Sequence, residues 1–235
     1  MDRVTDLDAS RNAPSRDLAR LVLHSQESAI IDSFTCMKVD IISRKLVFDG
    51  FFKLEEAELR FEKWDGTMSD VVTRLHLERG DSAAALIWNV DRRKIILVSQ
   101  FKYPAYAKGP GWITETVAGI VDPGERPEDT LLREVLEEAG YQIGLKAVTQ
   151  IGTFYVSPGG SSERIFLYYV EVHDADKIEA GGGLASEQED IRLVEMSIDE
   201  ARNAVSRFVI QDAKTLVGLC WLFQKFVDGK ESERL

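Results

Sequence analysis

The segment from Gly119 to Gly140 constrains this chain more than any other stretch of it. Gly119-Ile120-Val121-Asp122-Pro123-Gly124-Glu125 packs glycines and a proline into a short span, which specifies a tight and unusual backbone path. A helix follows from Pro127 to Ala139, with proline in its first turn and Gly140 at its end, the ordinary asymmetry of start and stop signals. Leu132, Val135, Leu136 and Ala139 recur at the spacing of one buried face and leave Glu134, Glu137 and Glu138 together on another. Glu134 and Glu138 stand one turn apart, where like charges cost an isolated helix roughly 0.2–0.5 kcal/mol per pair. The helix dipole makes anions near a C-terminus less welcome still. Arg133, four residues before Glu137, neutralises only part of the cluster. Two readings stay open on these residues alone: an ordinary solvated acidic face, or carboxylates that await a cation. Mg²⁺ suits the second because it takes oxygen ligands, keeps several waters and bridges to phosphates.

The rest of the composition excludes more than it assigns. Forty acidic against 29 basic residues give a formal charge of −11, which repels nucleic-acid backbones and anionic membranes, and no basic patch intervenes. Neither a nucleic-acid nor a membrane partner is therefore expected. Cys36 and Cys220 lie far apart without Cys-x-x-Cys spacing, so they read as buried thiols and not as a disulfide framework or a zinc cluster. Met1-Asp2-Arg3-Val4-Thr5-Asp6 lacks the basic start and apolar stretch of a signal peptide, and no apolar run is long enough to span a bilayer. A cytoplasmic location follows by default.

Along the chain, residues 1–33 read as an N-terminal extension with at most one helix. Residues 34–80 read as an antiparallel β domain with strands at 35–42, 45–54, 57–64 and 71–77, and with Asp65-Gly66 supplying a tight hairpin turn. Residues 81–228 form the main domain, with strands at 83–90, 94–100, 151–155 and 165–172. Its further helices lie at 198–207 and after Asp212, a suitable N-cap, with Leu216, Leu219, Cys220 and Phe223 as a buried stripe. Residues 229–235 are a tail. Strands, mostly antiparallel, interleaved with helices predict an α+β class with helices on both sides of a mixed sheet.

The Gly119–Gly140 segment also resembles the Nudix signature. Gly119, five residues, Glu125, seven residues, Arg133-Glu134-Val135, any residue, Glu137-Glu138, any residue and Gly140 fill every fixed polar and glycine position; Tyr141 departs, standing where a smaller aliphatic is usual. The resemblance implies a Nudix α/β/α sandwich and hydrolysis of a diphosphate linked to another group, with Mg²⁺ as cofactor and Mn²⁺ as a possible substitute. It also implies Glu134 and Glu138 as principal metal ligands, Glu137 and the Ala118 carbonyl as further ligands, and Arg133 with Glu125 bracing loop against helix.

From Phe48 to the C-terminal helix the chain resembles the ADP-ribose pyrophosphatase branch of that family, through Phe48-Asp49-Gly50-Phe51-Phe52, Trp64-Asp65-Gly66-Thr67-Met68-Ser69 and Glu78-Arg79-Gly80. That likeness implies a homodimer built through the N-terminal strands, a nucleoside diphosphate sugar as substrate, and Phe52 and Arg74 near its nucleoside end. Ser157-Pro158-Gly159-Gly160-Ser161-Ser162-Glu163-Arg164 resembles a pocket-lining loop of nucleoside-diphosphate-sugar enzymes, which marks Ser157, Gly159 and Glu163 as substrate contacts. Gly181-Gly182-Gly183-Leu184-Ala185-Ser186-Glu187-Gln188-Glu189-Asp190 resembles the branch's catalytic loop, making Glu187 the candidate general base and Glu189 an extra metal ligand. Lys102 stands where Arg is common and keeps the charge for a phosphate without the bidentate fork. Glu115 faces the substrate or supports the loop. A GDP-mannose or other sugar-nucleotide hydrolase is the rival reading, favoured by Ile210-Gln211-Asp212-Ala213-Lys214-Thr215. A nucleotide-sensing module that cleaves nothing is the alternative of another class, and the intact Arg133, Glu134, Glu137 and Glu138 argue against it.

Overall fold

The computed structural model of the protein describes residues 37–184, 186 and 188–232. The extension over residues 1–33, Cys36 and Glu187 lie outside them. The described residues divide into two units, 37–45 with Glu56–Arg74, and Leu46–Glu55 with 75–232. Among the described residues no helix is long and apolar enough to cross a membrane.

Three strands, β1 (Val39–Asp49), β2 (Lys53–Phe61) and β3 (Val72–Glu78), form one sheet in that order. Sequence reading expected four strands here. The first two merge into β1, and the chain reverses at a second Asp-Gly pair, Asp49-Gly50, where Gly50 N–H donates to the Phe52 carbonyl at 3.1 Å. The Asp65-Gly66 turn is present: Gly66 takes φ +78°, and Lys63 N–H donates to Thr67 O at 2.8 Å.

The second sheet starts from β4 (Ser82–Asn89), a strand buried along its whole length. A strand covered on both faces needs a continuous apolar run, and Ala83-Ala84-Ala85-Leu86-Ile87-Trp88 supplies it. It pairs antiparallel with β5 (Lys94–Phe101) and parallel with β9 (Arg164–Val172). Outward from these lie β10 (Arg192–Met196) on β5 and β8 (Val148–Tyr155) on β9, with β6 (Trp112–Glu115) on the far part of β5 and β7 (Val117–Ile120) on β4. The sheet is mixed, as expected.

Alternation along β4 sends Ala83, Ala85 and Ile87 to one face and Leu86 and Trp88 to the other. The first face packs against Leu131, Val135 and Ala139 of a helix over Pro127–Ala139. The second packs against Ala201 of a helix over Ile198–Ser206 and Leu219 and Leu222 of a helix over Ala213–Ser232. With the short turn of helix at Tyr103–Tyr106 designated α1, these three are α2, α3 and α4. Helices on both faces of a mixed sheet make the α/β/α sandwich.

Two burial expectations need correcting. The α2 core stripe runs Leu131, Val135, Ala139, with Leu132 and Leu136 only half-buried, because the sheet meets the helix about one residue round from the arc the pattern suggested. Cys220 is exposed, since Leu219 and Leu222 carry the α4 contact with the sheet.

Candidate active site

The loop–helix segment folds as a unit. Pro127 occupies the first turn of α2, Glu128 and Asp129 face its positive end, and Gly140 closes it in the left-handed conformation at φ +77°. Glu125 accepts from the Thr130 hydroxyl at 2.6 Å and lies 3.9 Å from Arg133 Nη2, so loop and helix are braced as the resemblance implied. Gly119, on β7, is required for a steric reason: a Cβ there would overlap the Glu134 carboxylate. That carboxylate reaches the sheet edge only because residue 119 has no side chain.

Glu134 is half-buried and Glu138 is 2% exposed, on the sheet side of α2. Ala118 N–H donates to Glu138 Oε2 at 3.3 Å, and Arg133 Nη1 donates to Glu134 Oε1 at 2.7 Å and to Glu137 Oε2 at 3.2 Å. Burial raises the Glu134 pKa against the pull of Arg133. Burial, reinforced by Glu134 and Glu189, pushes Glu138 up to about 8, with only Lys102 drawing it down. Without a cation, Glu138 thus holds a proton near neutrality. The three glutamates do not form a closed three-ligand cage among the described residues. Their chemistry fits a divalent cation that completes its shell with water and substrate oxygens, because hard oxygen donors crowd a place where negative charge is otherwise destabilised.

These groups open into a cleft of about 890 Å³ lined by residues of the second unit. Of the residues singled out in the sequence, Phe52, Lys102, Glu115, Ala118, Arg133, Glu134, Glu137, Glu163 and Glu189 all line it. Glu138 sits directly behind Ala118. Ser157 and Gly159 instead form an exposed turn in which Ser157 O accepts from Gly160 and Ser161, although neighbouring Val156 reaches the cleft. Arg74 belongs to the first unit, where its Nη1 donates to the Thr73 carbonyl at 2.9 Å.

Sequence reading missed two clusters on the cleft wall. Arg79 stacks 5.2 Å from the Phe52 ring centroid and lies 3.4 Å from Glu163 Oε2, and Glu163 accepts from the Ser82 hydroxyl at 2.9 Å. In the other cluster, Lys214 bonds Glu115, and its Nζ donates to Asp212 Oδ1 at 2.9 Å. Asp212 also caps α4 by accepting from Thr215 N at 2.9 Å. Burial opposes the Lys214 charge, but Glu115 and Asp212 outweigh it and raise its pKa. Arg79 Nε and Glu115 Oε1 are buried without a hydrogen-bond partner among the described residues, the latter 3.4 Å from Lys102 Nζ. Orphaned polar atoms lining a cleft are what a polar ligand would satisfy.

Comparison with known proteins agrees with this geometry. The NUDIX domain matches residues 78–216. The ADP-ribose pyrophosphatase of Escherichia coli strain K12 is 37% identical over 185 residues, covering 78% of this chain and 87% of that protein. The ADP-ribose pyrophosphatase of Haemophilus influenzae is 33% identical, covering 86% and 94%. The GDP-mannose pyrophosphatase of Cronobacter sakazakii is 32% identical, covering 77% and 93%. A crystal structure of an ADP compounds hydrolase superimposes with a TM-score of 0.60 at 18% identity, over 82% of this chain and 96% of that one, which bears on the fold alone.

Proposed function

From the premise that the chain belongs to the Nudix family, we propose that it hydrolyses the pyrophosphate bond of ADP-ribose or a related nucleoside diphosphate sugar, using Mg²⁺. Enzymes of this kind use a divalent metal. The observation that carries the reading is the convergence, in one cleft, of the crowded carboxylates of α2 with two orphaned polar atoms of lining residues, Arg79 Nε and Glu115 Oε1. With ADP-ribose, one water is consumed and AMP and ribose 5-phosphate are released.

When bound, the metal would neutralise the diphosphate and acidify the attacking water. Glu134, Glu138 and Glu137 would hold it, with the Ala118 carbonyl and Glu189 as further ligands; Mn²⁺ would substitute. Lys102 sits at the cleft with its Nζ 3.4 Å from Glu115 and supplies a point charge for a phosphate oxygen. Arg133 hydrogen-bonds Glu134 and Glu137 and aims their carboxylates. Phe52 and Arg79 offer a stacked surface for the nucleoside end, and Glu163 orients Arg79. Glu187 as the general base rests on the sequence resemblance. Homodimerisation through the N-terminal strands and a cytoplasmic location are further parts of this proposal.

A second reading, GDP-mannose as the preferred substrate, is favoured by Gln211, Asp212, Ala213 and Lys214 lining the cleft beside Glu115. A panel of ADP-ribose, GDP-mannose, UDP-glucose and NADH, each with Mg²⁺ and with chelator, ranks the two. ADP-ribose among the poorest substrates would overturn the first reading in favour of the second.

A further inference from the structure

The last turn of any helix leaves backbone carbonyls without partners inside the helix, and in α2 the last three are met by a segment some forty residues further on. Val135 and Leu136 carbonyls accept from Tyr141 and Gly140, the local closure. Glu137 O and Glu138 O accept instead from the amides of Gly183 at 3.1 Å and Gly182 at 2.9 Å. Gly140 O accepts from Ile178 and Glu179. The fit is close enough that a Cβ at Gly181 would stand 2.6 Å from Glu138 O, and one at Gly140 would overlap Glu179 O. The remaining carbonyl, Ala139 O, accepts from the ammonium of Lys177 at 2.8 Å, and the same Nζ lies 3.4 Å from Ala180 O.

Among the described residues Lys177 is therefore the side chain that bonds the helix end to the segment leading into the glycines, and a cation is the favoured charge at that end. It is itself held. Its backbone bridges antiparallel to Tyr141, its Nζ lies 4.8 Å from the centroid of the Tyr141 ring, and the Tyr141 hydroxyl accepts from Arg92 Nη2 at 2.7 Å. Arg92 is anchored on Asp174 and Glu195. Tyr141, the residue that departs from the Nudix signature, is 1% exposed and forms the floor of this assembly. Beyond the glycines, Ile191 N–H donates to Gly182 O at 3.2 Å and Leu184 N–H to Glu189 Oε2 at 3.0 Å, so the register of Glu189 depends on where the glycines dock.

We infer that Lys177 is a positioning residue: with Tyr141 and Arg92 behind it, it locks Gly181–Gly183 onto the C-terminus of the carboxylate helix and so sets where Glu189 stands in the cleft. The inference rests on the hydrolase reading above for its effect on turnover, but not for the lock itself.

The test is Lys177→Met in the full chain, which keeps the stem and removes the ammonium, with Lys177→Arg and Tyr141→Phe alongside. Amide exchange over residues 178–191, thermal midpoint, Mg²⁺ affinity, kcat and KM are measured together. In Lys177→Met the amides of Gly182 and Gly183 lose protection. kcat falls roughly 10- to 100-fold, the scale expected when a contributing group is misplaced by about an ångström. KM stays within about 2-fold, as for a group that does not bind substrate in the ground state. Lys177→Arg restores protection and most of kcat. Protection and kcat unchanged in Lys177→Met, or a kcat loss with the glycine amides still protected, would overturn the inference. Should the wild-type protein cleave none of the diphosphates offered, the hydrolase reading falls by itself, and exchange still decides the lock: protection lost upholds it, protection kept overturns it.

Discussion

Glu138 is where the sequence-level conflict becomes a structural one. A carboxyl only 2% exposed, facing Glu134 and Glu189, keeps its proton up to about pH 8. Its folded-state pKa lies above the unfolded value of 4.5, so the folded state binds more protons than the unfolded one between those limits. Stability of the metal-free protein should accordingly fall as pH rises from about 5 to about 8, by several degrees in Tm. Saturating Mg²⁺ should offset the fall, and Glu138→Gln should flatten it. Melting curves at pH 5 and pH 8, with and without Mg²⁺, check this; a metal-free Tm that rises across the window would contradict it. Gly119→Ala tests the same pocket sterically. The new methyl displaces the Glu134 carboxylate and should lower kcat by about 10- to 100-fold, with the circular dichroism spectrum unchanged. A variant of near-normal kcat would remove Glu134 from the metal grip.

At the scale of elements, α2 was the most legible part of the chain, because its proline start, glycine stop and carboxylate spacing are local signals; its observed bounds are Pro127–Ala139. Which arc faces the sheet was less legible. Leu131 and Leu132 are adjacent leucines, and only the tertiary contact chooses between them. The strand expected over 45–54 ran through Asp49-Gly50, the pair at which the chain reverses, while the break expected at 43–44 lies inside the continuous β1. The Asp212 cap of α4 was readable, but not what it does at a distance: Thr215 Oγ1 donates to Asp212 at 2.6 Å while accepting from Thr116 N–H at 2.8 Å, which ties α4 to the β6–β7 junction under the cleft. Thr215→Val leaves the buried Thr116 amide unsatisfied and should cost about 1–3 kcal/mol. Denaturant midpoints at constant slope measure it, and an unchanged midpoint would show the amide finds another partner. The pairings of Arg79 with Glu163 and of Lys214 with Glu115 escaped notice because each joins segments far apart in sequence, with no spacing rule to connect them.

At the scale of the whole molecule, a formal charge of −11 works against an anionic diphosphate, so binding must come from a local reversal of sign. The cleft supplies it through Lys102, Arg133, Arg79 and Lys214, but each of these already faces a carboxylate. Net attraction for the substrate therefore has to come from metal brought to α2. The α/β/α sandwich provides the frame: β4, covered on both faces, carries β7 along its edge register, and β7 meets the carboxylates of α2. The α+β class and the mixed sheet followed from the interleaving of strands and helices, though not the strand order, in which β6, β7 and β10 were not foreseen. The cleft wall did not, since it depends on which strand ends and helix starts the fold brings to one side. The most direct test of the account is Mg²⁺-dependent cleavage of ADP-ribose by the wild-type protein and by Glu138→Gln, with products identified by chromatography. The account predicts AMP and ribose 5-phosphate in equal amounts, abolished by chelator and reduced at least ~100-fold in the variant. Turnover that is indifferent to chelator, or equal in the two proteins, would contradict it.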